Sequence, residues 1–120
     1  MATIDDVRRI ALALPETDEH PSYGGRPSWR VKKKFFLGLR TDAEGGLVAK
    51  VADVEEKAAL LDAEPEKFFT TPHYDGYPMV LVHVHAVDLG ELEEIITESW
   101  RLTAPPRVLA AFDADHPPAG

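Results

Sequence analysis

Apolar residues recur at two different periods along the chain, and the switches between them outline its elements. Ile4, Val7, Ala11 and Leu14 repeat at helical spacing behind Thr3 and Asp6, a capping box with a shorter acid, and Pro15 stops the run; a helix is predicted over 4–14. From Glu16 to Pro27 the prolines, glycines, serine and acids read as a loop, with a short edge strand around Ser22 and Tyr23. Trp29 and Val31 alternate with Ser28 and Arg30 as a strand, and Lys32-Lys33-Lys34 is a turn. Phe35, Leu37 and Leu39 then alternate with Phe36, Gly38 and Arg40, which gives the next strand one strongly apolar face. Gly38 inside it signals a bulge or a close approach. Thr41 to Gly46 reads as a hairpin loop, followed by a strand with Leu47, Ala49 and Val51 on one face and Val48 and Lys50 on the other.

The second half repeats this alternation of periods. Asp53 with Glu56 is another capping signature, and Val54, Ala58 and Leu61 form the stripe of a helix over 53–62, ended by Pro65. Phe68-Phe69-Thr70-Thr71 is extended, and His73 to Pro78 is a loop built on Asp75-Gly76. Met79 to Val84 is a strand with Val80, Val82 and Val84 on one face and Leu81 and His83, continued by His85, on the other. Asp88 and Glu91 open the longest helix, 88–102, lined by Leu89, Leu92, Ile96, Ser99 and Trp100. Pro105-Pro106 breaks it; Val108, Ala111 and Phe112 suggest a last helical turn or two, and 113–120 reads as a loose tail. Helix, hairpins, helix, strands and helix in this order, without repeats, predict one compact α+β domain over 1–112, an antiparallel sheet packed against helices.

Composition narrows the function classes. No apolar run approaches a membrane span, and the acidic start, Met1 to Asp6, lacks the basic and apolar regions of a secretory signal, so a soluble, cytoplasmic domain is expected. The absence of cysteine excludes disulfides, thiolate metal sites and cysteine nucleophiles. A net charge of −8 excludes coating DNA by bulk charge. That charge is unevenly spread: residues 26–50 carry +5, through Arg26, Arg30, Lys32, Lys33, Lys34, Arg40 and Lys50, and the remainder carries −13. Such asymmetry points to an anionic partner, although lysines on hairpin turns and sheet edges also serve to discourage edge pairing.

Catalytic signatures are missing: Gly24-Gly25 and Gly45-Gly46 lack the spacing of a phosphate loop, and no HExxH or GxSxG sequence occurs. His83-x-His85 on a strand would turn two imidazoles to one face, but a tight site needs further ligands, for which His73, Asp75 and Asp88 are the candidates, and no metal ligand or cofactor is assigned. The stretch from Phe68 to Pro78 is the most idiosyncratic, a stiff loop carrying His73, Tyr74, Asp75 and Tyr77. Its rings suit a base, a ring-bearing ligand or a partner protein, or else cover the sheet edge.

Several segments together resemble the MmcQ/YjbR-like family: Ala13 to Thr17, Tyr23 to Val31, Lys34 to Phe36, Leu47 to Val51, Phe69 to Pro78 and Trp100 to Arg107. The resemblance implies a frataxin-like α+β fold and a DNA-binding role through a double-wing motif of β-hairpins, with no catalytic residues to carry over. Two readings follow. One is a non-enzymatic DNA-binding protein contacting phosphates through Arg26, Arg30, Lys32, Lys33, Lys34, Arg40 and Lys50. The other is a small-molecule or protein-binding module with a cleft near Trp29, His73, Tyr74, Asp75 and Tyr77. The discriminator is whether the basic side chains converge on one exposed face.

Overall fold

In the computed structural model, which describes residues 2–21, 23–41 and 46–115, side-chain caps start the three expected helices. These are α1 (Ile4–Ala13), α2 (Val54–Ala63) and α3 (Leu89–Thr103). At α1 the Thr3 hydroxyl accepts from the Asp6 N–H at 3.3 Å while the Asp6 carboxylate accepts from the Thr3 N–H at 2.9 Å. Asp88 and Glu91 form the same reciprocal box at α3, and Asp53 accepts from the Glu56 N–H at α2. Each cap satisfies donors that have no partner inside the helix.

The strands are β1 (Thr17–Pro21), β2 (Pro27–Val31), β3 (Lys34–Thr41), β4 (Gly46–Lys50), β5 (Phe68–Phe69) and β6 (Met79–His83). They form one antiparallel sheet in the order β1-β2-β3-β4-β6-β5. Trp29, Leu37, Ala49 and Val80 are paired in register across four strands and turn to the helices. There they meet Val7, Ala11, Leu92, Ile96 and Trp100 in one core. Trp100 is fully buried, and its indole N–H donates to the Pro15 carbonyl at 3.1 Å, tying α3 to the end of α1. The fold is therefore α+β, one domain with helices on one side of the sheet.

Several expectations need correcting. The edge strand lies at Thr17–Pro21, while Tyr23 begins a 3-10 turn and Ser22 lies outside the described residues; four of the strand's five side chains are exposed, so backbone pairing with β2 holds it and no apolar alternation marks it. In β3 a bulge changes the apolar face: Trp29 pairs with Leu37 but Arg30 with Phe35, so Phe36 joins Leu37 in the core and Phe35 turns outward. In α2 only part of the anticipated stripe holds: Leu61 packs against the core, but Val54 and Ala58 are exposed, and the buried residue is Lys57. Leu89 on α3 is also exposed. Pro105-Pro106 ends α3 but also opens a fourth helix, α4 (Pro106–Asp115), because proline fits a first turn whose N–H groups lack helical partners anyway. Residues 113–115 thus belong to a helix, and Asp113 accepts two bonds from Arg101 at 2.6 and 3.3 Å. The centre of the Thr41–Gly46 loop and the last five residues of the anticipated tail lie outside the described residues.

Candidate functional site

The face of the sheet turned away from the helices is built from a second set of paired residues. His20, Ser28, Gly38, Val48, Leu81 and Phe69 lie opposite one another across all six strands. Asp18, Arg30 and Phe35 form a shorter row beside them, and Lys50 pairs with Met79. Val48 and Leu81 are buried although neither belongs to the helix-side core.

Side chains of this face account for that burial. The Phe35 ring lies over Gly38, so close that a Cβ there would sit 2.7 Å from it; glycine is what lets the ring settle onto the backbone. Phe69 stacks on His83 with centroids 4.1 Å apart and planes 18° from parallel. The Arg40 guanidinium stands 5.7 Å from the centroid of the Tyr74 ring, which brings the loop after β5 to the sheet face. Phe35, Phe69, Tyr74 and His83 are all partly buried, and Phe69 with His83 and Tyr74 with Arg40 already share a ring face.

That loop is held from the opposite direction by Lys57. Its ammonium, 6% exposed as a residue, donates to the backbone carbonyls of Tyr74 and, at 3.2 Å, of Tyr77. Sequence reasoning missed Lys57 because a lysine among the polar positions of a short helix reads as solvated. The two carbonyls that explain its burial lie 17 and 20 residues away. It missed Phe35, Phe69 and His83 as a set for a similar reason, since only strand pairing brings them to one surface.

The seven basic candidates divide between two ends of the sheet. Lys32 and Lys33 occupy both central positions of the β2–β3 turn, with φ of 49° and 69°, and Lys34 follows them. All three are exposed, with Lys32 3.5 Å from Glu16. Arg26 and Arg40 stand at the other end, Arg26 beside Gly24. Arg30 and Lys50 are half-buried on the open face. Arg30 donates twice to Asp18, at 3.3 and 3.0 Å, and this holds the Asp18 carboxyl below the usual carboxylate range. On the helix side Glu56, Glu94 and Glu98 surround a cleft of about 160 Å³ floored by Val51, Leu60 and Val80, with Lys50 also in its lining.

The anticipated cleft of Trp29 with the aromatic loop is not assembled. Trp29 is fully buried on the helix side, where its indole N–H donates to Glu19 at 3.2 Å; His73, Tyr74, Asp75 and Tyr77 stay together at the opposite edge of the sheet. Tyr77 is 60% exposed, and His73 meets Tyr74 edge-on at 4.8 Å. His83 and His85 do not share a strand face, because β6 ends at His83 and Val84–Ala86 turns as a 3-10 helix. Among the described residues no group of three His, Asp or Glu side chains could hold a metal ion, and no helix is long and apolar enough to cross a membrane.

Fold and face define an α+β protein with a six-stranded antiparallel sheet, acidic helices on one side and a ring-bearing surface on the other, with the basic side chains not converging on one exposed face. Residues 12–102 match the YjbR family model, and the chain belongs to that family. It is 40% identical to uncharacterized proteins of Mycobacterium bovis (Mb2600) and Mycobacterium tuberculosis (Rv2570), over 96% of this chain and 98% of each relative. The crystal structure of the Deinococcus radiodurans protein DR2400, a DUF419 domain, superposes with a TM-score of 0.72 over 96% of this chain and 88% of that one at 21% identity, a likeness of fold.

Proposed function

We propose that this protein binds DNA, with phosphates contacted by the Lys32-Lys33-Lys34 turn and by the adjoining cations of the open sheet face. The observation that carries the reading is the turn itself. A two-residue hairpin loop with positive φ at both positions is the natural place for Asn-Gly. A left-handed conformation costs a side-chain-bearing residue about 1–2 kcal/mol. Two lysines in these positions place two ammonium groups at a projecting tip, where Lys32 is also held by the Glu16 carbonyl and carboxylate, and local strain of this kind clusters at functional sites. The other cations are less free: Arg30 is committed to Asp18 and Arg40 to Tyr74. The expected footprint is therefore small, about three phosphates, and the acidic helices favour an end-on or sheet-on approach.

Fluorescence anisotropy with a labelled duplex tests this. Log affinity should fall with log salt at a slope of roughly −3, about −0.9 for each phosphate. Replacing Lys32-Lys33 with Asn-Gly should raise the melting temperature by relieving the turn, and should remove about two phosphates from the slope. A variant that is more stable and binds as well as wild type would refute the assignment of the turn. Absence of salt-dependent binding by the wild type at about 50 mM salt would refute the DNA reading itself.

A further inference from the structure

The rings on the open face serve a purpose that phosphate contacts alone do not require. Phe35, Tyr74 and the Phe69–His83 stack lie on the side of the sheet that no helix of the described residues covers, each partly exposed, with Val48 and Leu81 buried on the same face. From β3, which carries Phe35 and Arg40, to β5, which carries Phe69, is three strand spacings, roughly 14 Å. A duplex presents its bases stacked inward, so flat rings on a sheet gain nothing from it; unpaired bases have free faces to stack on them. Cations flank the rings: Arg40 is over Tyr74, Arg30 pairs with Phe35, and Lys50 stands on the neighbouring strand.

The geometry points to a single-stranded DNA segment as the occupant of this face, one or two of its unpaired bases stacking on the rings while Lys50 and the Lys32-Lys33 tip hold its phosphates. This rests on the DNA reading above and adds to it the state of the strand. A sheet of similar breadth with exposed rings accommodates two or three bases in known single-strand readers. Lys57 adds a hold on the loop that carries Tyr74, through the carbonyls of Tyr74 and Tyr77.

Three labelled probes of equal length separate the possibilities: an oligothymidylate of roughly a dozen nucleotides, its duplex with oligodeoxyadenylate, and an abasic oligomer of the same charge. The oligothymidylate should bind about tenfold or more tighter than either of the others. Phe35→Leu and Tyr74→Leu keep apolar cover over the sheet. Each should weaken oligothymidylate binding about tenfold, the contribution of one stacked base, and leave the abasic oligomer unchanged. In wild-type protein the ring signals of Phe35, Tyr74 and His83 should shift upfield on adding oligothymidylate, a readout that does not depend on how the variants fold. Equal affinity for all three probes, or no movement of those signals, would overturn the single-strand inference and leave the DNA reading standing. Failure of all three to bind at about 50 mM salt would overturn both.

Discussion

The two faces of this sheet are made from the same strands and obey different rules. On the covered face, Trp29, Phe36, Leu37, Leu47 and Val82 are fully buried beneath α1 and α3. On the open face, Val48 is equally dry between Gly38 and Leu81, and the side chains of that face are rings and an arginine drawn from β3, β5, β6 and the loop before β6. A helix shields a sheet with hydrocarbon that is itself buried on folding. A layer of single side chains shields it with groups that stay partly in water. The difference teaches where this molecule can afford change: the covered face carries the stability, and the open face carries the exposed chemistry.

That contrast can be broken most forcefully at Trp100. Trp100→Ala removes a fully buried indole, its bond to the Pro15 carbonyl and its contact with Phe112, 4.8 Å between centroids. The expected cost is about 3–5 kcal/mol, read as a fall in melting temperature of at least 10 °C or so. A loss no larger than that of the open-face variants below would contradict the division of labour. Lys57→Met comes next. It removes the second donor from the carbonyls of Tyr74 and Tyr77, which keep the backbone N–H bonds of Tyr77 and Met79, and should cost about 1 kcal/mol, with accelerated amide exchange confined to residues 72–78. Global acceleration of exchange would show that Lys57 supports the whole core.

Of similar size is Gly38→Ala. The added Cβ lies 2.7 Å from the tip of the Phe35 ring, which can swing away, so the destabilisation should stay near 1 kcal/mol while the Phe35 ring resonances move. A collapse of the fold would place Phe35 among the core residues after all.

The least effect is expected from the Asp18–Arg30 pair at the open edge. Arg30 holds the Asp18 carboxyl below its ordinary value of 3.8, so the pair's contribution is complete above that pH and fades as pH falls through the lower folded value. Arg30→Gln should return the Asp18 midpoint towards 3.8 in an NMR titration and leave the melting temperature at neutral pH essentially where it was. A midpoint that does not move would assign the shift to another neighbour.

Those expectations also mark how far the chain could be read unaided. The three capped helices were legible, because Thr3, Asp53 and Asp88 act on donors within the next three residues. So were the strands β2, β3, β4 and β6, whose apolar alternation is local, and so was Trp100 as a core residue. The basic window was equally visible, though not that its members would separate to two ends of the sheet, with Arg30 already engaged by Asp18. β1 was misplaced because its own side chains bury almost nothing and only pairing with β2 defines it.

What the sequence determined by itself is thus the set of elements whose causes lie within a turn or a strand: caps, breaks, alternation and the charge of a hairpin tip. Gly38 even signalled a close approach without saying what approaches. The tertiary structure decided the rest. A one-residue bulge exchanged Phe35 for Phe36 in the core, and a lysine from α2 was buried to serve carbonyls on a distant loop. Rings from β3, β5 and β6 became one surface. The physical reason is that side chains on a sheet alternate with a period of two, so register, which depends on partners far away in the chain, selects the face each one occupies.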